Sequence, residues 1–203
     1  MNIVEDTAVQ MTLRNDIAAQ ALNLIEKSEV VGESLGQKEV MVYWGHDEME
    51  RLAHIMDNVT GATVKVPSPM LRDYKWPGLY KPFEHQKVTA AFLSVRKRAF
   101  CFNEAGTGKT SAAIWAADYL MNLGLVKRVL VICPLSIMYS AWQADIFNSA
   151  MHRTCGVAHG TKDKRIKVIN NEYEFVIINF DGVEIVSNEI QAANFDLIIV
   201  DEA

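Results

Sequence analysis

The sequence predicts an α/β fold in which helices cover both faces of a parallel sheet, preceded by a small α/β extension. Three observations predict it. From about residue 83 onward, strand-like apolar runs alternate regularly with segments of helical period. Those runs, among them RVLVIC at 128–133, EFVIINF at 174–180 and the final DLIIV, are continuously apolar, as strands buried on both faces must be. Finally, one strand-to-helix junction, FNEAGTGKT at 102–110, carries two glycines followed by Lys109 and Thr110.

The elements follow in order. Val9, Leu13, Ile17, Ala21, Leu24 and Ile25 recur at helical spacing and predict a first helix. VMVYW at 40–44 reads as a strand. HDEMERLAHIMDNV at 46–59 sets Met49, Leu52, Ile55 and Met56 on one helix face, with Gly61 suited to its end. ATVKV at 62–66 alternates like a strand. Pro67, Pro69, Pro77 and Pro82 then mark a linker over 67–82. The expected division is an accessory α/β region at 1–66, that linker, and a sheet domain from 83 to 203. Within the sheet domain HQKVTAAFLSV is helical, RAFCFN a strand, and a helix runs from the glycine turn to about Asn122. SIMYSAWQADIFNSA at 136–150 is expected to be one helix with Ser136 as its cap after Pro134. A short strand at 155–159, a basic helix KDKRIKVIN, and two more strands complete the chain.

Half of the 203 residues are apolar, enough for one sizeable core plus an extension. The net charge of −5 provides no global basic field. The charge is uneven: residues 1–66 hold 5 basic and 11 acidic side chains, whereas 72–98 hold 7 basic and 2 acidic. Such clusters are ordinarily solvated surface. Cys101, Cys133 and Cys155 form no C-x-x-C pair, which argues against a disulfide framework or a zinc site. His46 and His54, eight apart on one helix, are expected as helix-surface residues. The acidic N-terminus lacks an apolar signal region, and no run approaches the ~20 residues that span a bilayer. The expectation is a soluble cytoplasmic protein without membrane partners, in the host cytoplasm if phage-encoded and in the nucleus if eukaryotic.

The glycine turn has a chemical reading. Gly106 and Gly108 allow backbone conformations closed to other residues and let N–H groups approach a ligand closely. A helix starting at Lys109 aims its unpaired N–H groups and positive dipole end at the same point. Lys109 supplies a mobile charge for β- and γ-phosphates, and the Thr110 hydroxyl suits Mg²⁺. The phosphate-loop pattern G-x-x-x-x-G-K-[ST] asks for glycine at 103, where this chain has Asn103. Downstream, the apolar run Leu197–Val200 ends in Asp201 and Glu202. One carboxylate there can hold the Mg²⁺ shell and the next can act on a water.

These segments carry a resemblance. NEAGTGKT resembles motif I and DLIIVDEA motif II of superfamily 2 helicases and translocases, which are P-loop NTPases with a RecA-like sheet. LYKPFEHQ at 79–86 resembles the glutamine motif of the Swi/Snf-type branch and its phage-borne relatives. VLVICPLSIMYSAW at 129–142, GVAHGTKDKR at 156–165 and FVIINFD at 175–181 resemble segments that follow in that branch, in the same order. The resemblance covers about 79–203; residues 1–66 resemble nothing nameable. It implies ATP and Mg²⁺ as ligands. Gln86 would hydrogen-bond adenine, with Tyr80 or Phe83 packing on the base. Glu104, Ala105, Gly106, Thr107, Gly108, Lys109 and Thr110 would form the phosphate loop. Thr110 and Asp201 would hold the metal, and Lys109 and Glu202 would be catalytic. Pro134, Ser136, Gly160 and the 179–181 turn would touch a nucleic-acid backbone, DNA by expectation with RNA not excluded, through phosphates rather than bases. Trp142 is expected in the core.

The family engine needs a second RecA-like domain with an arginine finger, worth about 10³–10⁵ in rate. This chain ends within motif II. The expectation is that it is the N-terminal part of a longer protein and hydrolyses ATP slowly, if at all, by itself. The functional expectation is the ATP-binding half of a nucleic-acid-dependent ATPase, a DNA helicase or translocase. A restriction-type translocase subunit and a non-hydrolysing nucleotide-binding module are the alternatives.

Overall fold

The computed structural model describes residues 1–104 and 106–202. The chain divides into two compact units, one comprising Met1–Tyr74 with Ala91–Cys101 and the other Lys75–Ala90 with Phe102–Ala203.

The first unit is built on an antiparallel sheet of order β1-β2-β4-β3. Strand β1 is Asn2–Val4, β2 Ala8–Arg14, β3 Ser28–Ser34 and β4 Gln37–Tyr43. Helix α1 (Asn15–Leu24) connects β2 to β3, and α2 (His46–Thr60) follows β4 and ends at Gly61. In β2 the buried residues alternate, Val9, Met11 and Leu13, and in α1 they change to Ile17, Ala18 and Ala21. The helix expected from Val9 therefore begins only at Asn15. An apolar residue at every fourth position also satisfies a period of two, and buried Met11 shows which period holds here. No strand forms over 62–66. Instead the backbone of Val64 bonds Asp57 and Arg96 (N–H to Asp57 Oδ1, 2.8 Å; Arg96 Nη2 to Val64 O, 2.6 Å). The proline-rich stretch is not a free linker either. Its first half forms α3 (Met70–Asp73), buries Met70 and Tyr74, and accepts the Trp44 indole N–H at Pro67 O (2.8 Å). Its second half belongs to the other unit, where Leu79 N–H donates to Asn148 O and the Trp115 indole to Pro77 O. The unit boundaries thus fall at 74/75, 90/91 and 101/102 rather than at 66 and 83.

The second unit holds a parallel sheet of order β6-β7-β5-β8. Strand β5 is Val129–Cys133, β6 Cys155–Ala158, β7 Phe175–Asn179 and β8 Leu197–Val200. Helix α4 (Glu84–Ser94) is divided between the units, and α5 is Lys109–Asn122. Helices α6 (Ala144–Ser149), α7 (Lys162–Ile169), α8 (Phe180–Ile185) and α9 (Ser187–Ala192) complete it. The strands' period of two assigns each residue a face. Val129, Val131, Cys133, Phe175 and Ile177 share one buried cluster with Ile114, Ala117, Trp142 and Ile146 from α5 to α6. Leu130, Val176 and Ile178 share another with Ile169, Val186 and Ile190 from α7 to α9. Helices therefore cover both faces. Arg128, just before β5, donates to the carbonyls of Ile169, Asn171, Tyr173 and Ala193 and lies over the Phe195 ring, joining the connections at the strands' amino ends.

Two further expectations are corrected. Residues 98–103 form no strand, because the sheet contains no ladder that includes them, and an apolar run without a partner edge leaves its amides unpaired. The single helix expected over 136–150 is three pieces: a 3₁₀ turn Leu135–Ile137, a π-helical segment Met138–Gln143, and α6. Ser136 caps nothing with its side chain; it lies inside the 3₁₀ turn, and its carbonyl accepts the Ser140 hydroxyl (3.1 Å). Among the described residues no helix is long and apolar enough to cross a membrane.

Candidate functional site

The glycine turn leads directly into α5. Gly106 and Gly108 both have left-handed backbones (φ 76° and 78°), and Gly108 is the residue from which α5 starts. A Cβ at Gly108 would run into the Gln86 side-chain amide, whereas one at Gly106 would meet nothing. Asn103 stands outside the left-handed region, so the position where the phosphate-loop pattern asks for glycine does not need one in this chain. Its amide instead donates to the Thr89 hydroxyl (2.8 Å) on α4. The Thr107 hydroxyl closes the turn on Glu104 O (2.8 Å). The Lys109 ammonium folds back over its own loop and donates to Asn103 O (2.8 Å) and Glu104 O (3.2 Å). A ligand oxygen presented to the loop could take over those bonds. Thr110 sits half-buried in the first turn of α5. Ala105 lies outside the described residues.

Gln86 holds the turn from the side. Its Oε1 accepts the Phe83 backbone N–H (2.9 Å), the reach-back of a capping box at the start of α4. Its Nε2 donates to Thr107 O (3.3 Å). The same carbonyl is met by His85 Nε2 (3.1 Å), whose ring stacks on exposed Phe83 with centroids 5.7 Å apart. His85 carries no motif that sequence reasoning could have used. Tyr80, Phe83, Gln86, Ser111, Trp115 and Asp145 contribute to a cleft of about 180 Å³ beside the turn. Burial raises the Asp145 carboxyl above its ordinary pKa.

The remaining site residues share the carboxyl edge of the sheet, because all four strands run parallel. Pro134 and Ser136 follow β5, Gly160 follows β6, Asn179 ends β7 with Phe180 and Asp181 opening α8, and Asp201 and Glu202 follow β8. Open parallel sheets bind their ligands outside this edge. Asp201 is held twice: its backbone N–H donates to Ile132 O (2.9 Å), and its Oδ2 accepts the Trp142 indole N–H (2.9 Å). Burial raises the Cys133 thiol to about 11, and the nearby Asp201 and Glu202 charges add to this. Buried Arg165 links the ends of β6 and β7, donating to Ala158 O, Gly160 O and Asn179 Oδ1. Among the described residues the turn and the acidic pair are not directly bonded to each other. They are related through one core, in which Ile114 of α5 joins Cys133 and Trp142.

Residues 70–203 match the family described as type III restriction enzyme, res subunit. The chain belongs to that family. It is of the superfamily 2 helicase type, and the second unit has a RecA-like fold. In fold it is similar to the Sulfolobus solfataricus SWI2/SNF2 ATPase core, solved in complex with double-stranded DNA. The TM-score is 0.53 at 21% identity over 63% of this chain. The chain spans 27% of that protein. No curated protein matches it.

Proposed function

We propose that this res-subunit family member is the ATP-binding half of a nucleic-acid-dependent ATPase that couples hydrolysis to movement on DNA. The observation that carries this reading is the turn into α5. Left-handed Gly106 and Gly108 open the amides of a 14-residue helix, and among the described residues the Lys109 ammonium donates only to carbonyls of its own loop. The amides of Gly106–Thr110 would take the phosphates, and Lys109 would exchange its carbonyl bonds for β- and γ-phosphate oxygens. Gln86 and the cleft beside it would accept the adenine. The Thr110 hydroxyl and the Asp201 carboxylate fit magnesium, a hard cation that takes few protein oxygens and completes its shell with phosphate and water. Bound there, magnesium would neutralise charge on the transferring phosphoryl group. Glu202, exposed and one residue beyond, would accept the proton of the attacking water. Pro134, Ser136 and Gly160, along the same edge, would touch DNA phosphates.

The family match favours one sharper reading, a restriction-type translocase subunit that pumps duplex past itself without separating strands. ATP turnover, measured with and without duplex DNA, tests the proposal. Stimulated turnover supports it, and absence of turnover in both conditions leaves a nucleotide-binding module. Displacement of a triplex strand without duplex unwinding then distinguishes the translocase from a helicase.

A further inference from the structure

We infer that Trp142 is a positioning residue for Asp201: its indole N–H sets the rotamer in which the carboxylate faces the metal. The inference rests on the reading of Asp201 as a magnesium-side carboxylate.

Trp142 is 1% exposed, yet it is not merely core. A buried indole keeps its N–H satisfied, and among the described residues the acceptor here is a carboxylate 59 residues away at the tip of another strand. The backbone of Asp201 is already fixed by its N–H bond to Ile132 O. The indole bond then fixes the side chain. Oδ2 accepts the indole N–H, and among the described residues Oδ1 accepts no hydrogen bond, which suits it to a further ligand. The bond is charge-assisted, so it is stronger than a neutral one.

The local backbone supports a placement beyond packing. Trp142 lies in the π-helical segment Met138–Gln143, not in a regular helix. π-helical turns are rare and recur at functional sites, because the extra residue re-aims the side chains around it. Here Met138 and Trp142 are both buried one turn apart, so the segment satisfies the core and delivers the indole N–H to β8 together. The segment continues from Pro134, Leu135 and Ser136, so the bond also ties the loop after β5 to the acidic end of β8.

The test measures the Mg²⁺ concentration at half-saturation for binding of a fluorescent ATP analogue to the chain. The variants are Trp142→Phe, Asp201→Asn and the double variant. Trp142→Phe keeps an aromatic ring and removes the donor. Loss of a hydrogen bond to a charged group should raise the Mg²⁺ midpoint about 10-fold or more, with metal-free nucleotide affinity unchanged. In the Asp201→Asn background the same substitution should add nothing, because pairs acting through one contact are not additive. Replacing the Trp142 indole by the isosteric benzothiophene, which has no N–H, should reproduce the shift and covers the case in which the smaller ring disturbs folding. If Asp201→Asn shifts the midpoint and neither Trp142 replacement does, the inference is overturned while the reading of Asp201 stands. If none of the variants shifts it, both fall.

Discussion

Replacing Gly108 by alanine isolates what holds the turn in shape. Two costs follow from the structure. An alanine held at φ 78° pays for a left-handed backbone, about 1–2 kcal/mol. Its Cβ also displaces the Gln86 amide, which forfeits the bonds to Thr107 O and from Phe83 N–H. Each is worth about 0.5–1.5 kcal/mol. The total is about 2–5 kcal/mol. Gly106→Ala is the internal control: its φ is 76°, but nothing stands where its Cβ would go, so only the backbone cost of about 1–2 kcal/mol applies. Urea unfolding followed by circular dichroism gives both values from the midpoints, provided the slope is unchanged. In a Gln86→Ala background the cost of Gly108→Ala should fall to that of Gly106→Ala. Equal losses at the two glycines in the wild-type background would refute the claim that Gln86 braces the turn.

Other outcomes follow from the same structure. Asp118 is fully buried in α5 and bonded to Arg153 and His152, so Asp118→Asn should cost about 1.5–3 kcal/mol by weakening charge-assisted bonds, while Arg153 keeps its pair with Glu174; a urea-midpoint shift equivalent to less than about 1 kcal/mol contradicts this. Burial tends to raise the Glu174 carboxyl, but bonds from Thr154 and Arg153 outweigh it and hold the group below its ordinary 4.5. A carboxylate held low stabilises the fold above its unfolded pKa, and the contribution is lost as pH falls through the folded value. Urea midpoints measured downward from pH 6 should therefore fall below about pH 4.5, and less steeply in Glu174→Gln. Glu202→Gln should retain ATP binding and stop turnover, as filter binding and phosphate release would show; normal turnover would remove Glu202 from the role of base.

What was legible in the sequence is what local pattern encodes. β5 and β7 are short, continuously apolar runs, as suits strands covered on both faces; β8 shares that composition at the sheet's edge, where Ile198 and Val200 are exposed. The turn into α5 was legible because Gly106 and Gly108 are required by backbone angles, a property of the residue itself. The hairpin of β3 and β4 was only half seen, since SEVVGES is largely exposed and offers no clean alternation. The failed strand at 98–103 shows the converse: apolar residues permit a strand, but a neighbouring edge makes one. The contacts that organise the site were invisible for another reason. Trp142 reaches Asp201 across 59 residues, and Gln86 reaches Thr107 across 21. No local periodicity records such pairs. The sequence marks Trp142 as apolar and buried, and only the fold shows where its one polar atom goes.

The central claim is that a triphosphate rests on the amides that open α5 and that its metal is held from the end of β8. A crystal structure of the chain with magnesium and a non-hydrolysable ATP analogue tests this most directly. The account predicts phosphate density against Gly106–Thr110, the Lys109 ammonium moved from the carbonyls of Asn103 and Glu104 onto phosphate oxygens, and a metal between Thr110 and Asp201. Nucleotide bound elsewhere, or bound there with Lys109 still on its own carbonyls and Asp201 facing no metal, would contradict it.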